Sequence, residues 1–370
     1  MSMHHDISLK KKEVKDVLAR LSHDISGIDF NERNLVIWGA GNTANLCQES
    51  FKRHCVCPKY YIDNDKRKQS SLFHGHKVIS PDSDDFKKIE DPVVLISSAN
   101  VDFTNEIRSE LNRMGLRNFT VDEYFFGKNA DRLIKIIGVL SDDGSVQVYC
   151  DMILNRLKNR LPSDDTISED QYFILPNFRE VGVGDVFVNI GAYLGEEVGR
   201  YLECCDGKLF GKIISFEPDS DNYAEMMTHV EDLKRKWNVE EGRIQSVMAA
   251  VGDVTKTSFF GSRQGIGTYI DETATDSGPS IEIYSLDDFM PDGRIDLLKA
   301  DIESFELNML HGAEKLLIRN APKIAISIYH SPADFFDIIE YLLSLNLGYK
   351  FSVRHHSKLF EDTVLYAYTN

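Results

Sequence analysis

Val186-Phe187-Val188-Asn189-Ile190-Gly191-Ala192-Tyr193-Leu194-Gly195 is an apolar run that breaks into a glycine turn, and its reading decides the fold. A helix to about Cys204 follows the turn. A strand over Ile213–Phe216 comes next and ends in Glu217-Pro218. Strand, glycine turn, helix, strand and acidic residue, in that order, open a doubly wound parallel sheet. The pattern then continues. Tyr223, Met226, Met227, Val230, Leu233 and Trp237 recur at helical spacing, which marks core packing, and a strand over Ile244–Ala249 follows. A polar, strand-rich excursion occupies about 254–284. The strand Ile295–Ala300 ends in Asp301, and a helix carries Leu307, Leu310, Ala313 and Leu317. The strand Ile324–Tyr329 ends in His330. A helix over Phe335–Leu345 leads to two terminal strands, Tyr349–Val353 and Thr363–Tyr368. The expectation is a seven-stranded Rossmann-like sheet.

The same pattern occurs once earlier. Leu35-Val36-Ile37-Trp38 runs into Gly39-Ala40-Gly41-Asn42-Thr43-Ala44, and a second strand, Tyr60-Tyr61-Ile62, ends in Asp63. Strands at Lys77–Ser80 and Val93–Ser97, with a helix from about Asn105 to Met114 closed by Gly115, complete a smaller doubly wound unit. Between the two copies, Leu133, Ile136, Ile137 and Leu140 suit one helix. Val146, Tyr149, Ile153 and Leu157 suit another, after a break at Asp142-Asp143-Gly144-Ser145. The fold class is therefore α/β with two doubly wound Rossmann-like domains. They divide as 1–128, a helical connector 129–180, and 181–370. Two domains also fit the length, 370 residues, which exceeds what one core usually serves.

The chain has 59 acidic and 42 basic side chains, a formal net charge of −17. That balance argues against general binding to nucleic acid, which needs basic patches, and against an anionic membrane surface. No apolar run reaches the length of a membrane span, and residues 1–20 lack a signal-peptide core. They read as a polar helix with Val14, Val17 and Leu18 on one side. Six cysteines match no metal spacing, Cys55-x-Cys57 being too short for a zinc knuckle, so they read as reduced thiols. A cytoplasmic protein is expected. A homo-oligomer stays open.

In an open α/β sheet the ligand lies beyond the carboxyl ends of the strands. The residues that follow each strand are therefore the candidates. Gly191 and Gly195 let the backbone approach a ligand closely, with Ala192 and Tyr193 between them. Glu217, 22 residues after Gly195, ends the second strand, where a carboxylate accepts ribose hydroxyls. Asn189 stands near a ligand's polar tail. Gly191-x-x-x-Gly195 departs from G-x-G-x-x-G, and Glu196 and Glu197 would repel a pyrophosphate but tolerate a cation. S-adenosylmethionine carries a sulfonium and an amino group and no phosphate, so the chemistry favours it over NAD.

The ordered stretches Val188–Glu196, Ser215–Pro218, Ala249–Asp253, Ser285–Asp288, Leu297–Glu303, Leu310–Glu314 and Lys323–His330 resemble the FkbM family of S-adenosylmethionine-dependent methyltransferases. The resemblance covers about half of the chain. It implies a class I methyltransferase fold, O-methylation of sugar hydroxyls in polysaccharides or glycans, and donor contacts from Asn189, Gly191, Ala192, Tyr193, Gly195, Glu217, Pro218 and Ala249. Two positions depart from the family pattern. Asn189 stands where an aspartate is frequent, and Ser304 where the family has glycine after Asp-x-Glu.

Methyl transfer to a hydroxyl gains from a base that takes the proton as the bond forms. His330 is the expected base. Asp301 orients it or lies near the donor methyl, and Glu303 lies on the same side of the extended chain as Asp301. A divalent metal on Asp301, Glu303 and His330 is the alternative, not the favoured reading. Arg354, His355 and His356 close a later strand and are candidate substrate contacts. The blander reading is that these histidines are plain hydrogen-bonding groups and that Glu303 caps the next helix. In the N-terminal copy, Gly39, Gly41 and Asp63 could hold a nucleotide or nucleotide-sugar, or only mark a docking domain. The rival functions are an NAD-dependent sugar-nucleotide oxidoreductase or epimerase and a non-catalytic assembly protein.

Overall fold

Both apolar runs before the glycine turns become central strands of parallel sheets, because a strand covered on both faces must be apolar on both. In the computed structural model, which describes residues 3–206, 209–259 and 280–369, all four residues of β1 (Leu35–Trp38) are buried. So are the last four of β7 (Val186–Ile190). The chain divides into two units. The first holds residues 1–167 together with 329–336 and 357–361; the second holds 168–328, 337–356 and 362–370.

In the first unit, β1 is flanked by β2 (Tyr60–Ile62) and β5 (Val93–Ile96). With β3 (Leu72–Phe73), β4 (His76–Ile79) and β6 (Arg117–Thr120) the order is β3-β4-β2-β1-β5-β6. All pairings are parallel except the short β3–β4 hairpin. Val36, Trp38, Ile62, Val94, Ile96 and Leu111 fill one core. The N-terminal helix Met3–Ser26 buries Ile7, Val14, Leu18 and Ile25. Helices Ala130–Ile137 and Asp143–Leu157 belong to this unit. The expected break at 142–145 is the start of the second of them, because the Asp142 carboxylate accepts the Ser145 N–H and caps it. Arg156, buried in the same helix, binds Asp122 and donates to the carbonyls of Tyr329 and Phe360.

The second unit contains β7, β8 (Lys212–Phe216), β9 (Ile244–Val247), β10 (Ala250–Val251), β11 (Lys256–Phe259), β12 (Ser280–Tyr284), β13 (Leu297–Ala300), β14 (Lys323–Ser327), β15 (Lys350–His355) and β16 (Thr363–Tyr368). Seven of these form a sheet in the order β15-β16-β14-β13-β7-β8-β9. β16 is antiparallel to both its neighbours, as the short loop before it predicts, and the rest run parallel. This is the class I methyltransferase arrangement. β10, β12 and β11 make a small separate sheet. Part of the excursion expected at 254–284 thus appears as β11 and β12, and residues 260–279 of it lie outside the described residues. No helix among the described residues is long and apolar enough to cross a membrane.

Candidate functional site

The strand order reverses between β7 and β13, and the turn after β7 lies at that switch point. Gly191 has φ +69°, and a Cβ placed on it would stand 1.9 Å from the carbonyl oxygen of Asp301, which follows β13. Only glycine lets the two strand ends close together here. Gly195 (φ +81°) leads directly into the helix Glu196–Cys205, and a Cβ on it would meet Met226 Cγ at 3.0 Å.

Glu217 leaves β8 with its carboxylate turned into this bend. Oε2 accepts the Tyr193 N–H at 2.8 Å; Oε1 accepts the Asp219 N–H at 3.0 Å and a long 3.4 Å contact from Asn222 Nδ2. Burial pushes the Glu217 carboxyl above the usual glutamate range, and these donors pull partly against it. The Glu217 N–H binds the Val247 carbonyl, as does that of Ala249, so the end of β9 lies beside it. Ala192 and Ala249 are buried, Pro218 is half-buried, and the Tyr193 side chain is exposed with its backbone at φ +47°.

Asn189 is the register partner of both Lys299 on β13 and Ser215 on β8. It is fully buried, and neither its amide nitrogen nor its oxygen has a partner among the described residues; the same holds for Ser215 Oγ. Buried polar groups are seldom left so. Lys299 Nζ donates to the Gly191 carbonyl at 2.7 Å, lies 3.9 Å from Glu197 and 4.9 Å from the centre of the Tyr172 ring. A fixed cation thus backs the glycine turn.

Residues 185–351 match the family described as the methyltransferase FkbM domain. Residues 185–351 are a methyltransferase FkbM domain. Residues 31–121 match a second family, described as C2185-like, N-terminal. A solved structure of an FkbM methyltransferase from Methylobacillus flagellatus is similar over 99% of this chain and 99% of that chain, at 21% identity and a TM-score of 0.53. This likeness is one of fold. An rRNA methylase from Streptococcus thermophilus is similar over 51% of this chain and 89% of that one, at 13% identity and a TM-score of 0.33. A precorrin-6y C5,15-methyltransferase from Geobacter metallireducens is similar over 56% and 96%, at 13% identity and a TM-score of 0.32. Among curated proteins, none matches the chain. The FkbM domain contains the glycine turn, Glu217 and Asp301.

The remaining expected residues fall as follows. Asp301 follows β13 and accepts the Tyr172 hydroxyl at 2.8 Å. Glu303 is half-buried at φ +53°, and Ser304 is buried at φ +78°. The carboxylate that closes this loop is Glu306, fully buried, whose Oε1 accepts the Ile302 N–H at 2.8 Å. His330 is buried and belongs to the first unit.

Arg354 and His355 are the last two residues of β15, whose ladder with β16 ends at His355 opposite Thr363, and His356 follows the strand. His355 Nδ1 bonds Thr363 Oγ1 at 2.9 Å. His356 is held at both nitrogens, Nδ1 by the Ser168 carbonyl at 2.8 Å and Nε2 by the Tyr366 hydroxyl at 3.0 Å. Burial lowers its pKa to about 4. Tyr172 was not visible as a site residue, since no periodicity marks it. Asp219, which caps the helix Ser220–Trp237, stood in the open as an acid just before that helix.

Proposed function

We propose that the FkbM domain transfers the methyl group of S-adenosylmethionine to a carbohydrate hydroxyl, in the synthesis of a polysaccharide or glycan. The observation that carries the reading is Glu217 turned into the Gly191–Gly195 bend. A carboxylate offers about four acceptor positions, and three of these are taken from within the chain. A ribose diol takes the open position on Oε2 and displaces the long Asn222 contact.

The residues fit this donor better than a dinucleotide. Glu196 and Glu197 stand in the first turn of the helix after the bend and Glu217 faces the bend, three acids against the one buried cation Lys299, a balance that disfavours a pyrophosphate and suits a sulfonium. Asn189, buried with no partner among the described residues, offers an amide to the donor's polar end. The donor supplies an electrophilic methyl group. The chain's own task is to hold the acceptor oxygen in line with that methyl and to take the hydroxyl proton as the C–O bond forms. His330 is assigned that proton, and Asp301 lies on the rim beside the glycine turn.

Calorimetric titration with S-adenosylmethionine and S-adenosylhomocysteine tests the pocket. Transfer of labelled methyl to a panel of sugar acceptors tests the substrate class. Donor binding without transfer to any carbohydrate, together with transfer to a protein or nucleic acid, would replace the acceptor. No donor binding would remove the reading.

A further inference from the structure

The N-terminal unit repeats the geometry of the glycine bend in the FkbM domain. Its strand order reverses between β1 and β5. Gly39, after β1, has φ +115°, and a Cβ there would stand 2.3 Å from the carbonyl oxygen of Ser97, which follows β5. Asp63, after β2, turns its Oδ2 onto the Ala40 N–H at 3.1 Å. These are the relations that Gly191, Asp301, Glu217 and Tyr193 have in the FkbM domain: a glycine against the far strand's end, and a carboxylate on the turn's backbone.

The surroundings differ. The helix after Gly41 has no acid in its first turn. Lys68 lays its ammonium over the turn, bonding the Ala40 carbonyl at 2.9 Å and Asp63 Oδ2 at 3.0 Å, whereas Lys299, which bonds the Gly191 carbonyl in the FkbM domain, is buried. A Cβ on Gly41 would come within 3.7 Å of it. An ammonium has three donors, so one is left, and the side chain is about one-third exposed (32%). Lys66 and Arg67 precede it. Ser97 is buried, its hydroxyl has no partner among the described residues, and its Cβ lies 3.7 Å from where a Gly39 Cβ would stand. A crevice thus has a sugar-grade carboxylate, a spare hydroxyl and a spare ammonium proton.

We infer that this crevice binds the ribose-phosphate end of a nucleotide, with Lys68 on the phosphate, Asp63 on the ribose and Ser97 at the crevice floor. The ligand class is a nucleoside phosphate, free or as the nucleotide half of a sugar donor or dinucleotide. The site is separate from the methyl-donor pocket, so its failure leaves that reading untouched.

The full chain is titrated calorimetrically with ADP, UDP-glucose, NAD and, as the phosphate-free control, adenosine. At least one phosphate-bearing probe should bind with a Kd below about 1 mM, more tightly than adenosine, and less tightly as salt rises. Which probe binds best tells a cofactor from a sugar donor. Lys68→Met should weaken it about tenfold or more, Asp63→Asn should weaken it as well, and Glu217→Ala should leave it unchanged. The proposal is overturned if no phosphate-bearing probe binds, if adenosine binds equally well, or if Lys68→Met, a change at a partly exposed side chain checked by its melting curve, binds as the parent does. Loss of nucleotide binding in Glu217→Ala would place the ligand in the methyl-donor pocket and overturn it too.

Discussion

Tyr172 donates its hydroxyl to Asp301 Oδ2 at 2.8 Å, joining a segment that precedes the sheet to the rim of the sheet's fourth strand in sequence, β13. The tyrosine is held in place from behind. Its N–H donates to the Tyr366 hydroxyl, that hydroxyl donates to His356 Nε2, and His356 Nδ1–H donates to the Ser168 carbonyl. Donor and acceptor roles close along the whole chain with the imidazole neutral. Its backbone sits at φ +67°, a conformation that a tyrosine adopts only when its surroundings over-determine it.

Tyr172→Phe removes one bond to a carboxylate and leaves the ring in place. A hydrogen bond to a charged group contributes about 1.5–3 kcal/mol, so denaturant unfolding should show a loss of that order. Turnover should fall as well if Asp301 must be oriented. A variant with parental stability and parental turnover would show that the bond does nothing for Asp301.

Acid stability should depend on His356. Its folded pKa of about 4 lies below the unfolded value of 6.5, so the unfolded chain binds a proton that the folded one refuses. The stabilisation is complete above pH 6.5 and is lost as pH falls from there toward about 4, on the order of 3 kcal/mol in all. Unfolding curves across that window should steepen for the parent and flatten for His356→Gln. Equal slopes would mean that another group carries the acid sensitivity.

Glu217→Ala should weaken binding of the methyl donor by about 1–3 kcal/mol, the cost of charged hydrogen bonds to ribose. Burial raises the Glu217 pKa, and only the ionised form accepts both hydroxyls. Donor affinity should therefore drop on acidification at a pH above the ordinary glutamate range, and Glu217→Ala should lack that drop. Calorimetry over a pH series reads both effects.

The part of this site that the sequence discloses is the part set by short-range pattern. Gly191 and Glu217 are legible because a turn at a switch point needs glycine, and the acid of the neighbouring strand end must fall beside it. The doubly wound order follows from the same alternation of strands and helices. Tyr172 is illegible because its place depends on Tyr366, about two hundred residues away in the chain, and on His356. The histidines at 355 and 356 fall at the strand end that the apolar run implies, but their partners are illegible for a related reason. The ladder with β16 ends at His355, whose Nδ1 bonds Thr363 Oγ1, and the Ser168 carbonyl claims His356 Nδ1. The Asp142–Ser145 stretch reads as a break by composition and caps a helix by geometry.

His330→Ala tests the expected base. Donor affinity should stay at the parental value, since the donor contacts proposed here all belong to the second unit. Turnover should fall roughly 10²-fold or more, the usual worth of a positioned base. Near-normal turnover would clear His330 and move attention to Asp301.

Ser304 offers a test of the departure from the family's glycine. The residue sits at φ +78°, where a serine is strained, and its hydroxyl is buried without a partner among the described residues. Ser304→Gly removes both penalties and adds the conformational entropy of glycine in the unfolded chain, which is worth about 0.5–1 kcal/mol against it. Left-handed strain and an unsatisfied hydroxyl together cost more than that, about 1–3 kcal/mol each. The net expectation is a gain of about 1 kcal/mol or more, read as a raised denaturation midpoint with an unchanged slope. A destabilised variant would mean that the Ser304 hydroxyl is satisfied in solution by a bound water, and that the serine is kept for that water rather than tolerated in spite of its backbone.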